Sequence, residues 1–370
     1  MLPDALAAHS IQHLDNRTLD LNQQHLSILA CPVCHADLAL RDATYDGERI
    51  KSGLLFDVQG HSFPIVDFIP RFVSPDNYVS NFSSQWDSWP EILSSYDGYK
   101  TRFSKETKWG EKLDGRLMLE AGCGAGTFTP FAAATGATVL SFDLSTGVEA
   151  NYSRSGHLDN VLIVQADIFS IPTKQHTFDD VFCFGVLQHT PNPKQAFMSL
   201  CSQVKAGGRL AADIYTMPPA GHPYEMLWRN KYRVRKLVSS LSDNAILLAV
   251  RAYVKLMWPI VGLLASMNSS RGTALNRYFL FDDYGPRLPG MDRKNYKSFA
   301  MLDIYDFLGP KYDIPASLSE FKEWFSEAEF MDIDVHPGYN GLEGRGTCTL
   351  ESIGILDKFH PQNTNNKGNV

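Results

Sequence analysis

A glycine-rich turn carries the residues best suited to hold a ligand in this chain of 370 residues. The segment LEAGCGAGTF, residues 119–128, follows the apolar run Leu117–Leu119 and precedes a helical pattern, which predicts a strand, a tight turn and a helix N-terminus. Gly122, Gly124 and Gly126 have no side chains, so the main chain there can approach a ligand closely. In α/β folds, a turn of this kind is where adenosine-type ligands bind.

Acidic residues follow the next two predicted strands. Asp143 lies 21 residues after the first glycine of the turn, at a strand end, where a carboxylate can accept hydrogen bonds from both hydroxyls of a ribose. The alternative role for Asp143 is a helix N-cap. A third strand, Val161–Ala166, is followed by Asp167 and Ile168, and the alternative role for Asp167 is a simple turn residue.

The spacing of the glycines excludes a dinucleotide fingerprint. The pattern G-x-G-x-x-G/A, counted from Gly122, requires a small residue where this chain has Thr127. The remaining pattern, E-x-G-x-G-x-G with Glu120 closing the strand, resembles the first motif of class I S-adenosylmethionine (SAM) dependent methyltransferases. The fourth strand, Val181–Phe184, and the loop Gly185–Pro193 resemble the branch that includes ubiquinone and menaquinone methylases.

This resemblance implies SAM as the cofactor. It also implies that Asp167 accepts a hydrogen bond from the adenine amino group and that Ile168 packs on the adenine ring. The predicted cofactor-binding residues are Glu120, Gly122, Cys123, Gly124, Gly126, Asp143, Leu144, Asp167, Ile168 and Phe184.

Strands and helices alternate from Leu117 to Tyr215, which predicts an α/β fold with a doubly wound sheet. The resemblance implies seven strands in the Rossmann-like order 3-2-1-4-5-7-6, with the last strand antiparallel. We assign Met331–His336 to the sixth strand and Gly346–Ile353 to the seventh. Ser317 begins a helix with a capping box, since Glu320 follows it three residues later.

Seven segments follow from these patterns. They are an N-terminal extension (1–26), a zinc-ribbon-like module (27–75), leading helices or a lid (76–116), the SAM-binding core (117–215), a basic amphipathic helical insertion acting as a substrate lid (216–298), the C-terminal part of the methyltransferase domain (299–358) and a disordered tail (359–370).

The N-terminal module resembles the small zinc ribbon often joined to methyltransferases. It carries Cys31 and Cys34 in a CPxC motif, followed by the strand pattern FPIVDFIP. A structural zinc needs four ligands, usually from two such knuckles. The second cysteine pair is absent here, because its positions fall on Phe56 and Gln59. The module is expected to dock or cap rather than to catalyse.

Two histidines offer replacement ligands. His35 and His61 lie near the cysteines in sequence, but their spacing matches no familiar ligand set. The sequence therefore favours a metal-free module, with Cys31 and Cys34 as metal ligands only if zinc is retained.

Aromatic residues are frequent in the segment that leads into the core. Phe82, Trp86, Tyr99 and Trp109 are candidates for a lid over the cofactor, and ordinary packing of the leading helices is the alternative.

The helical insertion is basic in an acidic chain. Between Met226 and Ala265 there are seven basic residues and one acidic residue, Asp243, interleaved with apolar ones, whereas the whole chain has a net charge of −7. Such amphipathic helices could cover an anionic or lipid-linked substrate, rest on an anionic membrane surface, or present a solvated face.

Methyl transfer from a sulfonium needs alignment, exclusion of water and, for a hydroxyl acceptor, a base. His189 is the first candidate for that base, since it follows the fourth strand and its pKa suits neutral pH; orienting the loop is its alternative role. Asp303, Tyr305 and His222 are weaker substitutes for the base. Arg345 is a tentative substrate residue, as is Tyr305.

The leading hypothesis is a SAM-dependent methyltransferase (transferase activity) that methylates an oxygen of a sugar, lipid-linked or secondary metabolite. The alternatives are a non-catalytic SAM-fold scaffold and another adenosyl-ligand transferase of the aminopropyltransferase kind. The acceptor, the methylated atom and the oligomeric state are not set by the sequence.

Composition restricts the partners and the location. The acidic balance argues against a general nucleic-acid binder. Six scattered cysteines do not suggest a disulfide framework, and the first 24 residues do not read as a cleavable signal. The longest uncharged run, Leu256–Ser270, is interrupted by Pro259, so we expect no transmembrane segment. We expect a cytoplasmic protein, with peripheral contact to the inner membrane face as an option.

Overall fold

The computed structural model describes residues 25–73, 98–217, 221, 225–266 and 293–356. The candidates Phe82, Trp86 and His222, and the predicted disordered tail 359–370, lie outside these residues.

The strands are β1 Ala39–Asp46, β2 Arg49–Phe56, β3 Ser62–Val66, β4 Ile69–Pro70, β5 Leu117–Ala121, β6 Thr138–Asp143, β7 Val161–Gln165, β8 Phe178–Cys183, β9 Val204–Ile214, β10 Met331–Gly338 and β11 Gly341–Thr347. The α-helices are α1 Gly98–Thr107, α2 Thr129–Ala133, α3 Gly147–Ser155, α4 Pro193–Cys201, α5 Glu225–Val238, α6 Asp243–Ser266, α7 Arg293–Leu308, α8 Leu318–Glu327 and α9 Leu350–Leu356. A short 3₁₀ turn, Leu187–His189, follows β8.

A seven-stranded sheet forms the centre of the fold. Its order is β10-β11-β9-β8-β5-β6-β7, and only β11 runs antiparallel to its neighbours. Numbered along the chain within this sheet, that order is 3-2-1-4-5-7-6. Strands β5 to β8 are almost entirely buried because helices cover both faces of the sheet. The predicted α/β class with a seven-stranded sheet is confirmed.

The seventh strand lies earlier than predicted. A tight hairpin pairs Gly338 with Gly341, so β11 begins at Gly341 and ends at Thr347. Gly341 has φ +122°, a backbone conformation that other residues rarely adopt. The segment assigned to the end of the strand forms α9 instead, whose first turn is capped by the Thr349 hydroxyl accepting from the Ser352 amide at 2.9 Å.

Strands β1 to β4 form a separate antiparallel sheet in sequential order. The chain leaving this small sheet continues beside edge strand β7, where the Phe72 amide donates to the Gln165 carbonyl at 2.8 Å. The Phe68 ring also stacks on Tyr152 of α3, with ring centroids 5.2 Å apart. The N-terminal module is therefore attached to one edge of the central sheet.

Helices α5, α6 and α7 pack together beside the core. The buried face of α6 carries Ile246, Val250, Val254 and Val261, in one apolar cluster with residues of α7. By length and composition, Asp243–Leu264 within α6 could cross a membrane: it has a mean hydropathy of 1.6, and 22% of it is buried. Pro259 does not end this helix, which is therefore longer than the uncharged run in the sequence indicates.

Candidate functional site

A cleft opens at the carboxyl ends of β5 to β8. From β5 the chain adds β6 and β7 on one side of the sheet, and then β8 and β9 on the other side. Open α/β sheets hold ligands at such a switch in strand order. Its lining consists of Gly122, Cys123, Gly124, Thr127, Phe128, Phe142, Asp143, Leu144, Ser145, Ala166, Asp167, Ile168, Phe184, Gly185, Val186, His189, Thr190 and Asp306.

The glycine turn forms the floor of the cleft. The amides of Gly122 and Cys123 donate to the Phe142 carbonyl at 2.8 and 2.9 Å, which ties the turn to the end of β6. Gly122 has φ +73°, and a Cβ there would lie 2.3 Å from Cγ2 of Val186. A glycine is needed at this position because the loop after β8 closes directly over it.

A buried polar network supports the turn from below. Glu120 accepts hydrogen bonds from the hydroxyls of Thr129 and Ser141 at 2.5 and 2.7 Å, and Asn151 donates to both hydroxyls. Burial raises the pKa of Glu120 to about 7. Gly126 lies against this network, since a Cβ on it would be 2.2 Å from Oδ1 of Asn151. The predicted residues Glu120 and Gly126 thus lie beneath the cleft and do not line it.

Asp143 connects the glycine turn to the start of α3. Its Oδ2 accepts from the Gly124 amide at 2.8 Å, and its Oδ1 accepts from the amide and the hydroxyl of Ser145 at 2.7 and 2.6 Å. Burial raises its pKa, and these hydrogen bonds work in the opposite direction. The carboxylate is held rigidly at the cleft wall, and a ligand with adjacent hydroxyls could use its remaining lone pairs.

Asp167 and Ile168 lie together in the cleft, directly after β7. Oδ1 of Asp167 accepts from the Phe169 amide at 3.0 Å, and burial raises the pKa of this carboxyl. Phe184 also lines the cleft, with its ring centroid 5.4 Å from that of Phe128 in an edge-on contact. This part of the cleft combines one acceptor with flat apolar surfaces, which suits a purine ring.

His189 and Asp306 form a second wall of the cleft, and His189 lies on the 3₁₀ turn after β8. Its Nδ1 is 3.2 Å from the Tyr312 carbonyl, and its Nε2 is 3.4 Å from Oδ2 of Asp306. Asp306 also accepts a hydrogen bond from the Tyr215 hydroxyl at 2.6 Å. Burial alone would lower the pKa of His189, but the negative charges of Asp306 and Asp313 outweigh it and raise that pKa.

Asp306 was missed from the sequence. The candidates named in its vicinity were Asp303, which is exposed, and Tyr305, which is fully buried among the helices of the insertion; neither lines the cleft. Burial raises the pKa of Tyr305 to about 12. Acidic residues in an otherwise apolar part of α7 were the one indication of a site there. The helix has no clear apolar face, so the sequence does not show which of its residues point towards the cleft.

Arg345 lies inside strand β11 and does not reach the cleft. Its guanidinium donates to the Glu106 carbonyl at 2.7 Å and pairs with Asp334. Together with Lys108, it lowers the pKa of Asp334 to about 2. With the seventh strand assigned to Gly346–Ile353, the sequence places Arg345 in the turn before that strand. The structure corrects this position, because the strand already begins at Gly341 and Arg345 lies within it.

A second buried pair, missed from the sequence, positions the loop after β8. Arg102 of α1 pairs with Asp213 at 2.6 Å, and the other oxygen of Asp213 accepts from the Gly185 amide at 2.5 Å. Tyr99 contacts Phe128 edge-on at 5.9 Å, and Trp109 packs on other aromatic rings behind the cleft. Neither aromatic residue lines the cleft.

Residues 119–212 match the family model described as a methyltransferase domain. This match confirms the prediction that SAM is the cofactor. The matched segment begins in β5 and ends in β9, so it contains every cleft element except the Asp306 wall from α7.

Known proteins resemble parts of the chain. A Synechococcus protein described as uncharacterized is 31% identical over 158 residues, covering 38% of each chain. The mitochondrial ubiquinone biosynthesis O-methyltransferase of Schizosaccharomyces pombe is 27% identical and covers 44% of this chain and 59% of its own length. Demethylmenaquinone methyltransferase of Clavibacter sepedonicus is 29% identical, covering 35% of this chain and 57% of its own. The chain thus spans less than two thirds of each relative.

Solved structures also resemble it. A SAM-dependent methyltransferase from Mesorhizobium loti shares 24% identity over 34% of this chain and 58% of its own, with a TM-score of 0.30. The CurJ carbon methyltransferase shares 13% identity over 74% of this chain and 61% of its own, with a TM-score of 0.41.

Proposed function

We propose that this chain is a SAM-dependent methyltransferase that methylates an oxygen atom of a small-molecule acceptor. The observation that carries the proposal is one cleft with two different walls. A glycine turn tied to Asp143 forms one wall, and the His189–Asp306 pair forms the other. Such a cleft can bind an adenosyl ligand and still present a proton acceptor to a second molecule.

Each wall has a separate task in this mechanism. When bound, SAM supplies an electrophilic methyl group. Asp143 holds the ribose hydroxyls and Asp167 the adenine amino group, while Ile168 and Phe184 exclude water from the ring. Because the reaction needs alignment more than covalent chemistry, rigid placement of these side chains accounts for most of what the protein supplies.

His189 and Asp306 remove the proton of the acceptor hydroxyl. The Tyr312 carbonyl favours a proton on Nδ1 of His189, which leaves Nε2 and the Asp306 carboxylate to share an incoming proton. His189 must be neutral before it can accept one. Since its pKa is raised, the rate should increase with pH through a value above the ordinary pKa of histidine.

Quinone-related phenols are the first acceptors to test, since two relatives are named as ubiquinone and menaquinone pathway methyltransferases. Sugars and lipid-linked metabolites follow, because α5 and α6 of the basic insertion pack on α7, the helix that brings Asp306 to the cleft. Two alternatives remain: a scaffold that binds SAM without catalysis, and a transferase that uses another part of an adenosyl ligand.

We also propose a cytoplasmic protein that contacts the inner face of the membrane peripherally through α6. The face of α6 opposite its buried one exposes Leu248, Leu256 and Leu263 at 69%, 71% and 66%. Arg251 and Lys255 lie one turn apart on the flank of this face and are also exposed. Leucines flanked by basic residues suit an anionic lipid surface.

Calorimetry tests the first requirement of the proposal, which is that the protein binds SAM. Wild-type protein should bind one SAM per chain, and Asp143→Ala should weaken binding by at least 100-fold, because it removes the ribose acceptor and the hydrogen bond that fixes Gly124. Asp159→Ala is the matched control, since the Asp159 side chain is 88% exposed. Folded wild-type protein that binds no SAM would refute the proposal.

Methyl transfer from radiolabelled SAM then separates the alternatives. Label incorporated into a phenol or sugar supports the methyltransferase. SAM binding without transfer to any acceptor class supports the scaffold, and release of methylthioadenosine with alkylated amine identifies the other transferase.

A further inference from the structure

The N-terminal module brings together four side chains that the sequence analysis treated separately. Cys31 and Cys34 come from the turn before β1, and Asp57 and His61 come from the turn between β2 and β3. One ligand atom from each lies within 4.8 Å of all the others. None of the four lines the cleft, so they form a second centre.

The distances within this cluster fit a shared ion. The Cys31 sulfur is 3.6 Å from Nδ1 of His61, the Cys34 sulfur is 3.0 Å from Oδ2 of Asp57, and Oδ2 of Asp57 is 2.7 Å from Nδ1 of His61. Tetrahedral coordination with bonds of about 2.0–2.3 Å places ligand atoms roughly 3.3–3.8 Å apart. The distance from the Cys31 sulfur to His61 falls in this range, whereas the two distances to Oδ2 of Asp57 are shorter and must lengthen for all four atoms to coordinate one ion.

The two turns are already shaped as ligand-bearing loops. The Val33 amide donates to the Cys31 sulfur at 3.4 Å, and the His35 amide donates to the Cys31 carbonyl at 2.8 Å. Oδ1 of Asp57 accepts from the amides of Gln59 and His61, at 2.8 and 3.0 Å. Because Oδ1 is used within its own turn, Oδ2 is the oxygen directed at the cysteines.

Charge favours a cation at this place. The Asp57 side chain is completely buried, and its only ion-pair partner among the described residues is His61. A buried carboxylate beside two thiols is costly unless positive charge compensates it. A divalent ion supplies that charge, and the two cysteines release their protons to solvent when they bind it.

We propose that Cys31, Cys34, Asp57 and His61 bind one Zn²⁺ ion in a closed, structural site. Two sulfurs, one imidazole nitrogen and one carboxylate oxygen form a ligand set typical of zinc, and four protein ligands leave no open position for catalysis. This proposal differs from the expectation of a metal-free module. The second knuckle keeps its place in the fold but uses aspartate and histidine, whereas His35 and the positions of Phe56 and Gln59 do not take part.

The bound ion joins the two turns of the module. Ala30, which precedes Cys31, donates to the Pro172 carbonyl at 2.8 Å on the central domain. The site would thus hold the hairpin β2–β3 against the segment that docks onto the central sheet.

Metal analysis of the purified, reduced full-length protein tests the proposal. We expect one zinc per chain by mass spectrometry, and a Co²⁺-loaded sample should show the visible bands of tetrahedral coordination together with sulfur-to-cobalt charge transfer. Asp57→Asn and His61→Asn should each weaken Zn²⁺ binding by at least tenfold. His35→Asn is the matched control and should keep full zinc content.

If a variant fails to fold, a measurement on the wild-type protein still tests the proposal. Bound Zn²⁺ should protect two cysteines from a thiol reagent, and a chelator should make them reactive and lower the melting temperature. Folded wild-type protein that takes up no Zn²⁺ or Co²⁺, or binds either with octahedral spectra and unprotected cysteines, would overturn the proposal. Neither outcome depends on whether the cleft binds SAM.

Discussion

Replacing Gly126 by alanine should destabilise the domain more than the same change at any open turn. Gly126 has φ +80°, and a Cβ there would be 2.2 Å from Oδ1 of Asn151 and 2.6 Å from its Cγ. Asn151 is fully buried and cannot move without breaking its hydrogen bonds to Thr129 and Ser141, at 3.0 and 3.1 Å. The clash must therefore disrupt the network beneath the glycine turn.

The magnitude follows from two contributions. A left-handed backbone conformation costs alanine about 1–2 kcal/mol relative to glycine. Loss of the two Asn151 hydrogen bonds adds about 2 kcal/mol, at about 1 kcal/mol each. We expect Gly126→Ala to lower the free energy of unfolding by about 3–4 kcal/mol and to weaken SAM binding as well.

Gly115→Ala is the matched control for backbone strain. Gly115 has φ +76°, but a Cβ there would have no atom within 4 Å. This variant should lose only about 1–2 kcal/mol. Urea unfolding followed by circular dichroism and tryptophan fluorescence measures both variants, provided that the two signals change together.

A double-mutant cycle with Asn151→Ala isolates the clash. In that background only the 3.1 Å contact with Cβ of residue 151 remains, so the additional effect of Gly126→Ala should fall towards the cost of strain, about 1–2 kcal/mol. Equal losses for Gly126→Ala and Gly115→Ala, or an unchanged loss in the Asn151→Ala background, would refute the reasoning.

Three further predictions concern catalysis, stability and membrane contact. Asp306→Asn removes a negative charge that raises the pKa of His189, so the rise of the methyl-transfer rate with pH should move to lower pH; an unmoved pH profile would exclude this pair as the base. Arg345→Met should lower the free energy of unfolding by about 2–4 kcal/mol while the KM for acceptor stays unchanged, since the guanidinium bonds only to the protein; a raised KM without loss of stability would show a substrate role. Leu256→Glu with Leu263→Glu should abolish flotation with vesicles containing anionic lipid, and wild-type protein that stays at the bottom of the gradient would exclude membrane contact.

Much of the first wall of the cleft could be predicted, because its residues lie at the ends of successive strands. Gly122, Asp143 and Asp167 lie at or just beyond the carboxyl ends of neighbouring parallel strands, and such ends meet at one edge of the sheet. The predicted residues Leu144, Ile168 and Phe184 line the cleft for the same reason. Local sequence was sufficient there.

Asp306, which shares the second wall with the predicted His189, could not be predicted in the same way. Asp306 reaches the cleft from α7, more than 100 residues after the loop that carries His189, and no short motif relates the two. The position of Asp306 depends on how α7 packs beside the core, and no short stretch of sequence specifies that packing. Arg102 and Asp213 pair across a similar separation, for which the sequence has no local signal either.

The proximity of Cys31, Cys34, Asp57 and His61 was not predicted, for a different reason. The family pattern predicts a second cysteine pair, and that pair is absent. The hairpin instead brings an aspartate and a histidine, four residues apart in sequence, next to the two cysteines. Aspartate is common in turns, so its presence in a turn does not by itself predict a metal ligand.

The attachment of Arg71 and Phe72 to β7 has a consequence for solubility. Beyond β7 the central sheet would end in a row of unpaired amides and carbonyls, which is a template for association with other chains. The segment leaving the small sheet covers part of that row, through the Phe72–Gln165 hydrogen bond and the Arg71 contact beside it. Removing the N-terminal module would uncover an apolar border strand and favour aggregation, whatever else the module binds.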